Sequence, residues 1–579
     1  MCQISLKVGD MILWLKPRAK LYQSSGPDSN LDKASCGSHS QLSTLNSPLP
    51  THCPFSIVNC QLYFRGFMTP EERFKNIISH SKEYGFIFQS SEIYDGLSAV
   101  YDYGQMGVEL KKNLRDFWWK SMVQMHTNIV GLDSAIFMHP TTWKASGHVD
   151  AFNDPLIDNK DSKKRYRADV LIEDHMAKLR DKADKEVEKA RKRFGETFDE
   201  ALYRQTNPRV LESLNKASEV EQRFKSALEA NNLEEVRQII IDSEIVCPVS
   251  GTRNWTEVRQ FNLMFSTSMG SVSDEASTIY LRPETAQGIF VNFLNVQKTG
   301  RMKIPFGIAQ TGKAFRNEIV ARQFIFRMRE FEQMEMQFFV RPGSEMEWYN
   351  YWKETRMKWH RALGFSDNKH RFHDHLKLAH YANAAADIEF DFPFGFKELE
   401  GIHSRTDFDL KKHEEFSGKK LQYFDPELNE SYVPYVVETS IGLDRLFLAV
   451  LSEAYREEKL EDGSERVVLS IPFALAPIKV AVLPLVNKEE LNEKAETVFN
   501  LLKYDFNAAT EAKDTIGKRY RRHDAVGTPY CVTIDYETLE KDTVTLRNRD
   551  TMAQERVKIS DLKEMLNKTV SLTGLLEKC

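Results

Sequence analysis

From Met68 onwards, the apolar residues of the chain recur at the spacings of regular secondary structure. Over residues 109–124 they recur every three to four positions, which predicts a helix with one face in a core. Residues 128–138 then predict a strand that stops at His139-Pro140, because the residue before a proline avoids the helical conformation. At Thr69-Pro70, a capping residue followed by a first-turn proline predicts the start of an earlier helix.

Two central segments, residues 275–342 and 380–450, alternate strand-like runs with one apolar helix, LDRLFLAVLSEAY, which begins at Leu443. Strands outnumber crossover helices there, so we predict an α+β fold with an antiparallel sheet rather than a Rossmann domain. Ahead of this sheet, residues 160–245 carry dense alternating charge. Such a pattern predicts a solvated helical hairpin inserted into the domain.

A different order of predicted elements begins at Ile478, with a strand, a helix, two strands and a final helix. This order predicts a compact α/β domain of about 100 residues. We therefore expect a core formed by residues 68–160 and 246–453, a charged helical insertion at 161–245 and a C-terminal domain at 474–579. Residues 1–66 are rich in Ser, Pro and Cys without periodicity, and are predicted to be a disordered extension or the product of an incorrectly assigned start codon.

The amino-acid composition excludes several classes of protein. A hydrophobic fraction of 41% excludes a wholly disordered or collagen-like chain. Lys+Arg 79 against Asp+Glu 84 leaves no general basic field, so a nucleic-acid partner would need a local basic surface. Apolar runs stay below the roughly 18 residues of a membrane span, so no membrane partner is expected. Four of the seven cysteines lie in the first sixty residues, which favours a reducing, cytoplasmic location over a disulfide scaffold.

Candidate chemistry first appears in the run from Phe315 to Glu335. If it forms two antiparallel strands, Arg316 and Glu318 share one face of the first. On the returning strand one face would carry Arg327, Arg329, Phe331, Gln333 and Glu335. Such a face suits a cleft that binds phosphate with guanidinium groups and stacks a base on an aromatic ring. A solvated ladder of salt bridges is the alternative.

A second candidate segment, Glu438 to Arg445, precedes the apolar helix. Gly442 would let a ligand approach the backbone closely, and Arg445 in the first helical turn could reach a phosphate. Taken alone, the segment is also compatible with an ordinary helix start. Metal-ligand spacing is lacking: four histidines at 370, 373, 375 and 380 match no zinc pattern, and Cys247 has no second cysteine beside it. We therefore predict no structural zinc.

Together, the two candidate segments resemble motifs 2 and 3 of class II aminoacyl-tRNA synthetases, and the region from Gly107 to Pro140 resembles motif 1. Longer runs, including GQMGVELKKNLRDFWW, LRPETAQGIFVNF, AHYANAAADIEFDFPFGF and VVETSIGLDRLFL, are similar to the glycyl-tRNA synthetase family in its dimeric, single-chain form. The resemblance runs from about Met68 to the C-terminus. It implies a class II antiparallel catalytic sheet flanked by helices, an anticodon-binding domain at the C-terminus, and a homodimer.

The implied activity is the ATP-dependent ligation of glycine to the 3′ end of tRNA(Gly) through a glycyl-adenylate intermediate. Glycine, ATP and the tRNA are then partners, and Mg²⁺ accompanies ATP. Two alternatives remain open at this point. One is a synthetase for threonine, serine or proline, and the other is an inactive synthetase-like subunit that binds RNA. Many relatives carry cysteine pairs near the segments matching 158–165 and 247–250, and only Cys247 is retained here.

The resemblance also implies roles for individual residues. Arg316 and Arg445 are the predicted catalytic residues, the first bridging the α-phosphate and the glycine carboxylate, the second holding the γ-phosphate. The implied ATP-binding set is Arg316, Asn317, Glu318, Phe326, Arg327, Met328, Arg329, Glu330, Phe331, Glu398, Leu399, Gly442, Leu443, Asp444 and Arg445. The implied glycine-binding set is Arg167, Glu284, Phe331, Glu332, Gln333, Met334, Glu335, Glu438, Thr439, Ser440, Ile441 and Gly442. Glu398 is also the predicted magnesium ligand.

Contact with tRNA is predicted in the C-terminal domain, where basic residues surround Tyr520. The predicted tRNA-binding residues are Lys518, Arg519, Arg521 and Arg522. A basic cluster with an aromatic residue inside it suits phosphate and base contacts, although a solvated helix face is the simpler reading. The charged insertion is a second candidate for contact with tRNA.

Overall fold

The structure is a computed structural model that describes residues 7–8, 11–12, 68–195, 198–270, 278–319, 323–375, 378–379, 381–460 and 463–579. Close to the N-terminus, β1 (Lys7–Val8) pairs antiparallel with β2 (Met11–Ile12). The prediction for residues 1–66 otherwise lies outside the described residues, as does His380.

The first part of the core begins with a helix at the predicted position. Its elements are α1 (Pro70–Glu83), β3 (Ile87–Gln89), β4 (Tyr101–Tyr103), α2 (Gln105–Trp119), β5 (Ile129–Gly131), α3 (Pro140–Ala145) and α4 (His148–Ala151). The Thr69 hydroxyl accepts the N–H of Glu72, and the Glu72 carboxylate accepts the N–H of Thr69. This reciprocal capping box confirms the predicted helix start.

The predicted helix over 109–124 is present as α2 and continues into a π-helical turn at Lys120–Gln124. The predicted strand over 128–138 is wrong in length, because only β5 is extended. The edge strand β5 pairs with the neighbouring strand at only three positions, Gly307 to Ala309. Further along, His139 accepts the N–H of Thr141 and so caps α3 instead of ending a strand.

The charged region folds as helices together with a small sheet. Its elements are β6 (Asn153–Asn159), β7 (Lys164–Arg167), α5 (Ala168–Phe194), α6 (Glu200–Thr206), α7 (Pro208–Glu229), α8 (Leu233–Asp242) and β8 (Arg259–Asn262). Strand β6 lies between β7 and β8. Helices α5 and α7 pack together through Ala183, Val187 and Val210. Their surface cations pair with nearby acids, as Arg180 does with Glu221 at 2.7 Å. This pairing supports a solvated helical hairpin.

A seven-stranded sheet forms the centre of the molecule. The elements of this region are β9 (Ser266–Ser268), β10 (Thr278–Tyr280), α9 (Ala286–Gly300), β11 (Phe306–Phe315), β12 (Glu330–Val340), α10 (Glu345–Ala362), β13 (His370–Asp374), β14 (Ala384–Phe392), β15 (Gly395–Thr406), α11 (Phe408–Ser417), β16 (Tyr423–Asp425), β17 (Glu430–Tyr432), β18 (Tyr435–Gly442) and α12 (Leu443–Ala454). The strand order is β13-β14-β15-β18-β12-β11-β5. Every neighbouring pair is antiparallel except β11 with β5, which confirms the predicted fold class.

Apolar clusters cover both faces of this sheet. On one face Met334, Met336 and Phe338 of β12 join a cluster that includes Trp352 of α10 and Phe447 of α12. On the other face Phe339 packs with residues of α9 and β11. The odd-numbered residues of β12 ahead of Phe339 are polar apart from Phe331, so the second face has room for a site.

A hairpin of β19 (Tyr455–Lys459) and β20 (Glu465–Leu469) leads into the C-terminal domain. The elements of that domain are β21 (Val480–Pro484), α13 (Glu489–Leu502), β22 (Ala508–Thr510), α14 (Ile516–Val526), β23 (Tyr530–Ile534), α15 (Tyr536–Lys541), β24 (Thr543–Asn548), β25 (Gln554–Lys558), α16 (Leu562–Val570) and α17 (Thr573–Leu576). The sheet order is β22-β21-β23-β24-β25. In the described part of the chain, no helix combines the length and apolarity that a membrane crossing requires.

Candidate active site

The loop between β11 and β12 carries much of the predicted phosphate-binding chemistry. The prediction that Arg316, Glu318, Arg327 and Arg329 lie on strands is wrong, because β11 ends at Phe315 and β12 begins at Glu330. The backbone leaves the ladder there: the N–H of Asn317 bonds to Leu263 O. The four side chains therefore take directions set by the loop.

Two arginines and an aromatic ring from separate elements meet at one cavity. Arg316 donates from Nε to Pro283 O at 3.1 Å, and its guanidinium lies 5.3 Å from the centre of the Phe331 ring. Arg445, in the first turn of α12, donates from Nε to Phe326 O at 3.2 Å and pairs with Glu398 at 3.1 Å. The residues that line the cavity are Arg316, Glu318, Ile325, Phe326, Arg327, Met328, Phe331, Gln333, Glu398, Ser440, Gly442, Asp444 and Arg445.

Several side chains of the predicted ATP-binding set lie outside this lining. Arg329 donates to the carbonyl oxygens of Glu318 and Ser98, and Glu330 pairs with Lys313 at 2.6 Å. Asn317 is likewise absent from the lining. Of the three residues that directly follow β11, Arg316 and Glu318 line the cavity and Asn317 does not.

A further group of predicted residues does not line the cavity, because neighbouring residues of a strand point to opposite faces of the sheet. The side chains of six predicted residues are buried and do not line the cavity, so their contacts with ATP or glycine stay predictions: Glu332, Met334, Leu399, Thr439, Ile441 and Leu443. Successive residues of β12 and β18 point to opposite faces, so a continuous stretch of sequence cannot line one site. Gln333 pairs with Gly442 and Glu335 with Ser440 across the two strands. The remaining face is therefore shared by alternate residues of each strand.

On the same face of the sheet, the carboxyl groups of Glu284, Glu335 and Glu438 lie close enough to interact, and we call this region the acidic pocket. Gln337 donates from Nε2 to Glu335 at 2.8 Å and to Glu438 at 2.6 Å. Thr285 donates its hydroxyl to Glu335. Three acids that share one small buried region favour a cationic ligand. The pocket therefore suits a small molecule with an ammonium group.

The three carboxyl groups have different pKa values. Burial, reinforced by Glu438 and Glu284, raises the pKa of Glu335 well above its usual value. For Glu438, burial acts in the same direction, but Arg405 and His403 outweigh it and lower the pKa. At Glu284, burial is outweighed by His148 and then Arg405, so the pKa is lowered. The raised pKa favours the protonated form of Glu335, and the lowered values favour the ionised forms of Glu438 and Glu284.

Sequence reasoning missed the residues that hold these acids. Arg405 donates to Glu438 at 3.0 Å, and its pair with Asp409 has a separation of 2.8 Å. His403 bonds to the other oxygen of Glu438 at 2.8 Å through Nδ1. Both stand in the run HSRTDFDL at alternate positions of β15. A histidine and an arginine at alternate positions of a strand was the signal that could have indicated them.

Arg167 lies apart from the acidic pocket. It pairs with Asp154 at 3.1 Å and with Asp169 at 2.6 Å. Together with Phe326 and Arg327, it lines a neighbouring cavity. Phe326 and Arg327 also line the cavity that holds Arg316 and Arg445, so Arg167 lies beside that cavity and its contact with glycine stays a prediction.

The predicted tRNA-binding residues stand on α14 with unequal exposure. Lys518 and Arg521 are exposed. Arg519 is fully buried, with its guanidinium donating to Glu511 O and Leu485 O, so it serves the fold and offers nothing to a partner. Arg522 pairs with Glu511 and Asp514, both at 2.8 Å. One face of α14 is thus committed to intramolecular contacts.

Two of the histidines that were predicted not to bind zinc form hydrogen bonds with carboxylates. His373 bonds to Glu389 and His375 bonds to Asp387. Cys247 is contacted by the hydroxyls of Ser162 and Tyr166 at 3.3 and 3.2 Å. Across the described ranges, His, Cys, Asp and Glu side chains form no group of three in a metal-binding arrangement.

Comparison with protein-family models gives three matches that follow one another along the chain. Residues 154–263 match glycyl-tRNA synthetase insertion domain 1, and residues 265–454 match the class II tRNA synthetase core domain (G, H, P, S and T). Residues 479–569 match an anticodon-binding domain. The matches occur in the order that the sequence predicted.

Curated relatives match over most of the chain. A glycine–tRNA ligase of Chlorobaculum tepidum is 52% identical over 491 residues, covering 85% of this chain and 98% of the relative. Proteins of the same name in Macrococcus caseolyticus and Clostridium kluyveri are 49% and 48% identical. Each covers 86% of this chain and 99% of the relative.

Proposed function

The chain belongs to the glycine–tRNA ligase family, and we propose that it joins glycine to the 3′ end of tRNA in an ATP-dependent reaction through glycyl adenylate. The observation that carries this proposal is the convergence of Arg316, Arg445 and Phe331 on a cavity that adjoins three buried carboxylates. A nucleotide site beside a pocket for a small ammonium compound is what amino-acid activation requires.

In the first step, an oxygen of the glycine carboxylate attacks the α-phosphorus of ATP, and the bond to the β-phosphate breaks to release pyrophosphate. Arg316 holds the α-phosphate and the attacking carboxylate, and Arg445 holds the γ-phosphate. Phe331 stacks on the adenine ring. The protein forms no covalent bond, so its contribution is positioning and stabilisation of charge.

In the second step, the ribose hydroxyl at the tRNA 3′ end attacks the glycyl carbonyl, and AMP leaves. The glycyl group stays in the acidic pocket, where Glu284, Glu335 and Glu438 face its ammonium group. Ser440 lies beside these acids, paired with Glu335 across the sheet. The proposed selection of glycine is steric, because a Cβ atom on the substrate would overpack a pocket shaped for glycine.

Glu398 is the proposed magnesium ligand. Its carboxylate is 52% exposed at the cavity, and Arg445 lowers its pKa, which keeps it ionised. Magnesium in nucleotide sites is commonly held by one or two carboxylates together with phosphates, so one carboxylate fits this requirement. Bound there, Mg²⁺ would neutralise phosphate charge.

We also propose a homodimer in the cytoplasm. Ile93, Tyr94 and Leu97 are 87%, 79% and 54% exposed within one short segment, which supports contact with a second copy. Of the cysteines in the described ranges, Cys247, Cys531 and Cys579 have free thiols, in keeping with a reducing compartment. Sedimentation equilibrium would test the dimer, and a monomeric mass at micromolar concentration would contradict it.

The activity is tested by ATP–pyrophosphate exchange with glycine, alanine, serine, threonine and proline in parallel. We expect exchange with glycine alone. Charging of tRNA(Gly) transcript with labelled glycine then tests the second step. Exchange with another amino acid would replace the proposed substrate, and the absence of exchange with all five would favour an inactive RNA-binding subunit.

A further inference from the structure

A second set of charged side chains is buried on the far face of β12 and reaches the cavity lining at Asp444. Lys111 of α2 lies with Nζ 2.7 Å from Asp444 Oδ1 and 3.4 Å from Glu332 Oε2. Its ammonium is 4.1 Å from the ring centre of Tyr103, whose hydroxyl donates to the same Asp444 oxygen. The side chains of Lys111, Glu332 and Asp444 are 7%, 9% and 3% exposed.

The charges of this set are balanced. Arg115 lies 2.9 Å from Glu332, so two cations face two carboxylates. Burial, followed by the charge of Asp444, raises the pKa of Tyr103, and its hydroxyl therefore remains a donor. Removal of Lys111 would leave a buried carboxylate without its cation, which is costly in a protein interior.

Asp444 joins the strand that carries one half of the active site to the helix that carries the other half. Its Oδ2 accepts the N–H of Glu332 at 2.7 Å. The pairing between β12 and β18 ends at Gln333 and Gly442, one residue before this bond. The carboxylate therefore continues the ladder at the point where α12 begins.

The chain neighbours of these two acids face the cavity. Arg445 follows Asp444, and Phe331 and Gln333 flank Glu332. Successive strand residues point to opposite faces, so anchoring Glu332 on the far face sets the directions of Phe331 and Gln333. Lys111 and Tyr103 themselves are not part of the cavity lining.

We propose that Lys111 and Tyr103 are positioning residues for adenylate formation, acting through Asp444 and Glu332 to hold Arg445 and Phe331 at the spacing that ATP requires. The inference rests on the proposed function. Reactions that depend on positioning are sensitive to displacement, since a shift of about 1 Å costs about a hundredfold in rate. A buried, charge-balanced set next to the cavity provides the stiffness that such a site needs.

The test compares Lys111→Met with Lys112→Met. Lys112 is the next residue of α2, but its side chain is 60% exposed and pairs only with Asp116, so its removal should change nothing. For Lys111→Met we expect the KM for ATP in pyrophosphate exchange to rise at least about tenfold and the exchange rate to fall similarly. Glycine binding measured without ATP should keep its Kd, because Arg405, His403 and Gln337 hold the acidic pocket.

Two further variants separate positioning from folding. The double variant Lys111→Met, Asp444→Asn removes both charges together and should recover thermal stability, which would assign any loss of stability in Lys111→Met to the unpaired carboxylate. Lys111→Arg should restore part of the exchange rate. An unchanged KM for ATP in Lys111→Met would overturn the proposal. It would also be overturned if, in every variant, ATP-dependent exchange and glycine binding were lost in proportion to the loss of folded protein. A wild-type chain without exchange would instead contradict the proposed function.

Discussion

Arg316 and Arg445 reach the cavity from a loop and from a helix, and each is held in place before any ligand binds. The Nε of Arg316 donates to Pro283 O, and that of Arg445 to Phe326 O. Each guanidinium also lies over an aromatic ring, Phe331 and Phe326 respectively. Cations fixed in this way need little reorganisation when charge develops on a phosphate. Such preorganisation is the main source of electrostatic catalysis.

Replacing Arg316 with alanine should cut ATP–pyrophosphate exchange by about 100- to 1000-fold, the loss typical of a deleted electrostatic contact in a transition state. The fold should be retained, which circular dichroism and thermal unfolding would check. Arg209→Ala is the matched control, because its side chain is 82% exposed on the inserted hairpin. Exchange at the wild-type rate in Arg316→Ala would show that the role belongs to another residue.

We expect Glu335 to link glycine binding to pH. Burial and the neighbouring Glu438 and Glu284 raise its pKa, so the free enzyme holds a proton that the ammonium of glycine should displace. Binding then releases a proton wherever the pH lies below this raised pKa. Below this pKa, the Kd for glycine should fall as the pH rises, by up to about tenfold per pH unit. Above the pKa, the Kd should no longer change with pH.

Calorimetric titration in two buffers of different ionisation enthalpy would measure the proton released. Glu335→Gln mimics the protonated form, so its binding should be weaker and independent of pH. Glu284→Gln serves as the comparison, because the lowered pKa of Glu284 keeps it ionised in the free enzyme. Buffer-independent enthalpies with the wild-type protein would rule out the coupling.

At the scale of elements, some basic residues of α14 make contacts within the protein and another is exposed to solvent. Arg521 donates to Glu465 O and Ser464 Oγ, which lie on and beside β20. Arg519 is buried against backbone carbonyls. Lys518 is exposed, and no ion-pair partner for it is found in the described part of the chain. Among the four predicted residues, Lys518 is therefore best suited to bind phosphate.

Charge reversal at Lys518 should weaken tRNA binding and reduce the slope of log K against log salt by about one. ATP–pyrophosphate exchange should stay at the wild-type rate, because α14 lies outside the cavity lining. Filter binding over a range of salt concentrations gives the slope. Lys488→Glu, an exposed lysine of the same domain outside α14, is the control. An unchanged slope in Lys518→Glu would assign the tRNA contact to another surface.

At the scale of the whole molecule, a buried ionic cluster fastens the C-terminal domain to the core. Asp524 of α14 accepts from Arg466 of β20 at 2.9 Å and from Arg547 of β24 at 2.8 Å. Arg466 and Asp524 are 2% and 1% exposed. His80 of α1 adds a bond to Ala525 O at 2.8 Å. Because β19 follows α12 directly, this cluster lies at the far end of the helix that begins beside Arg445.

Removing Arg466 should destabilise the junction by about 1.5–3 kcal/mol, the range for a lost hydrogen bond to a charged group, because Asp524 keeps its pair with Arg547. In Arg466→Ala we expect the C-terminal domain to unfold at a lower temperature than the core, seen as two calorimetric transitions. Aminoacylation should fall more than pyrophosphate exchange, since only the former uses tRNA. The control is Lys494→Ala, whose partner Asp542 is 77% exposed. A single unshifted transition in Arg466→Ala would contradict the role of the cluster.

The sequence determined the class of this protein because its signals are local. The capping box at Thr69, the apolar periodicity of α2 and α12, and the rhythm of the C-terminal domain each depend on residues within one turn or one strand of each other. The motifs around Arg316 and Arg445 were visible for the same reason. Strand ends were less predictable, since β5 pairs with β11 at only three positions although β11 itself continues to Phe315.

Tertiary structure alone decided which residues of each motif face the cavity and which face the core. Glu332 and Phe331 are neighbours in sequence, yet the sheet turns one toward Lys111 and the other toward the cavity. Likewise, Arg405 and His403 join the acidic pocket only because β15 pairs with β18. The physical reason is that contacts across a sheet depend on pairing between distant segments, and a single sequence read along its length does not contain that pairing.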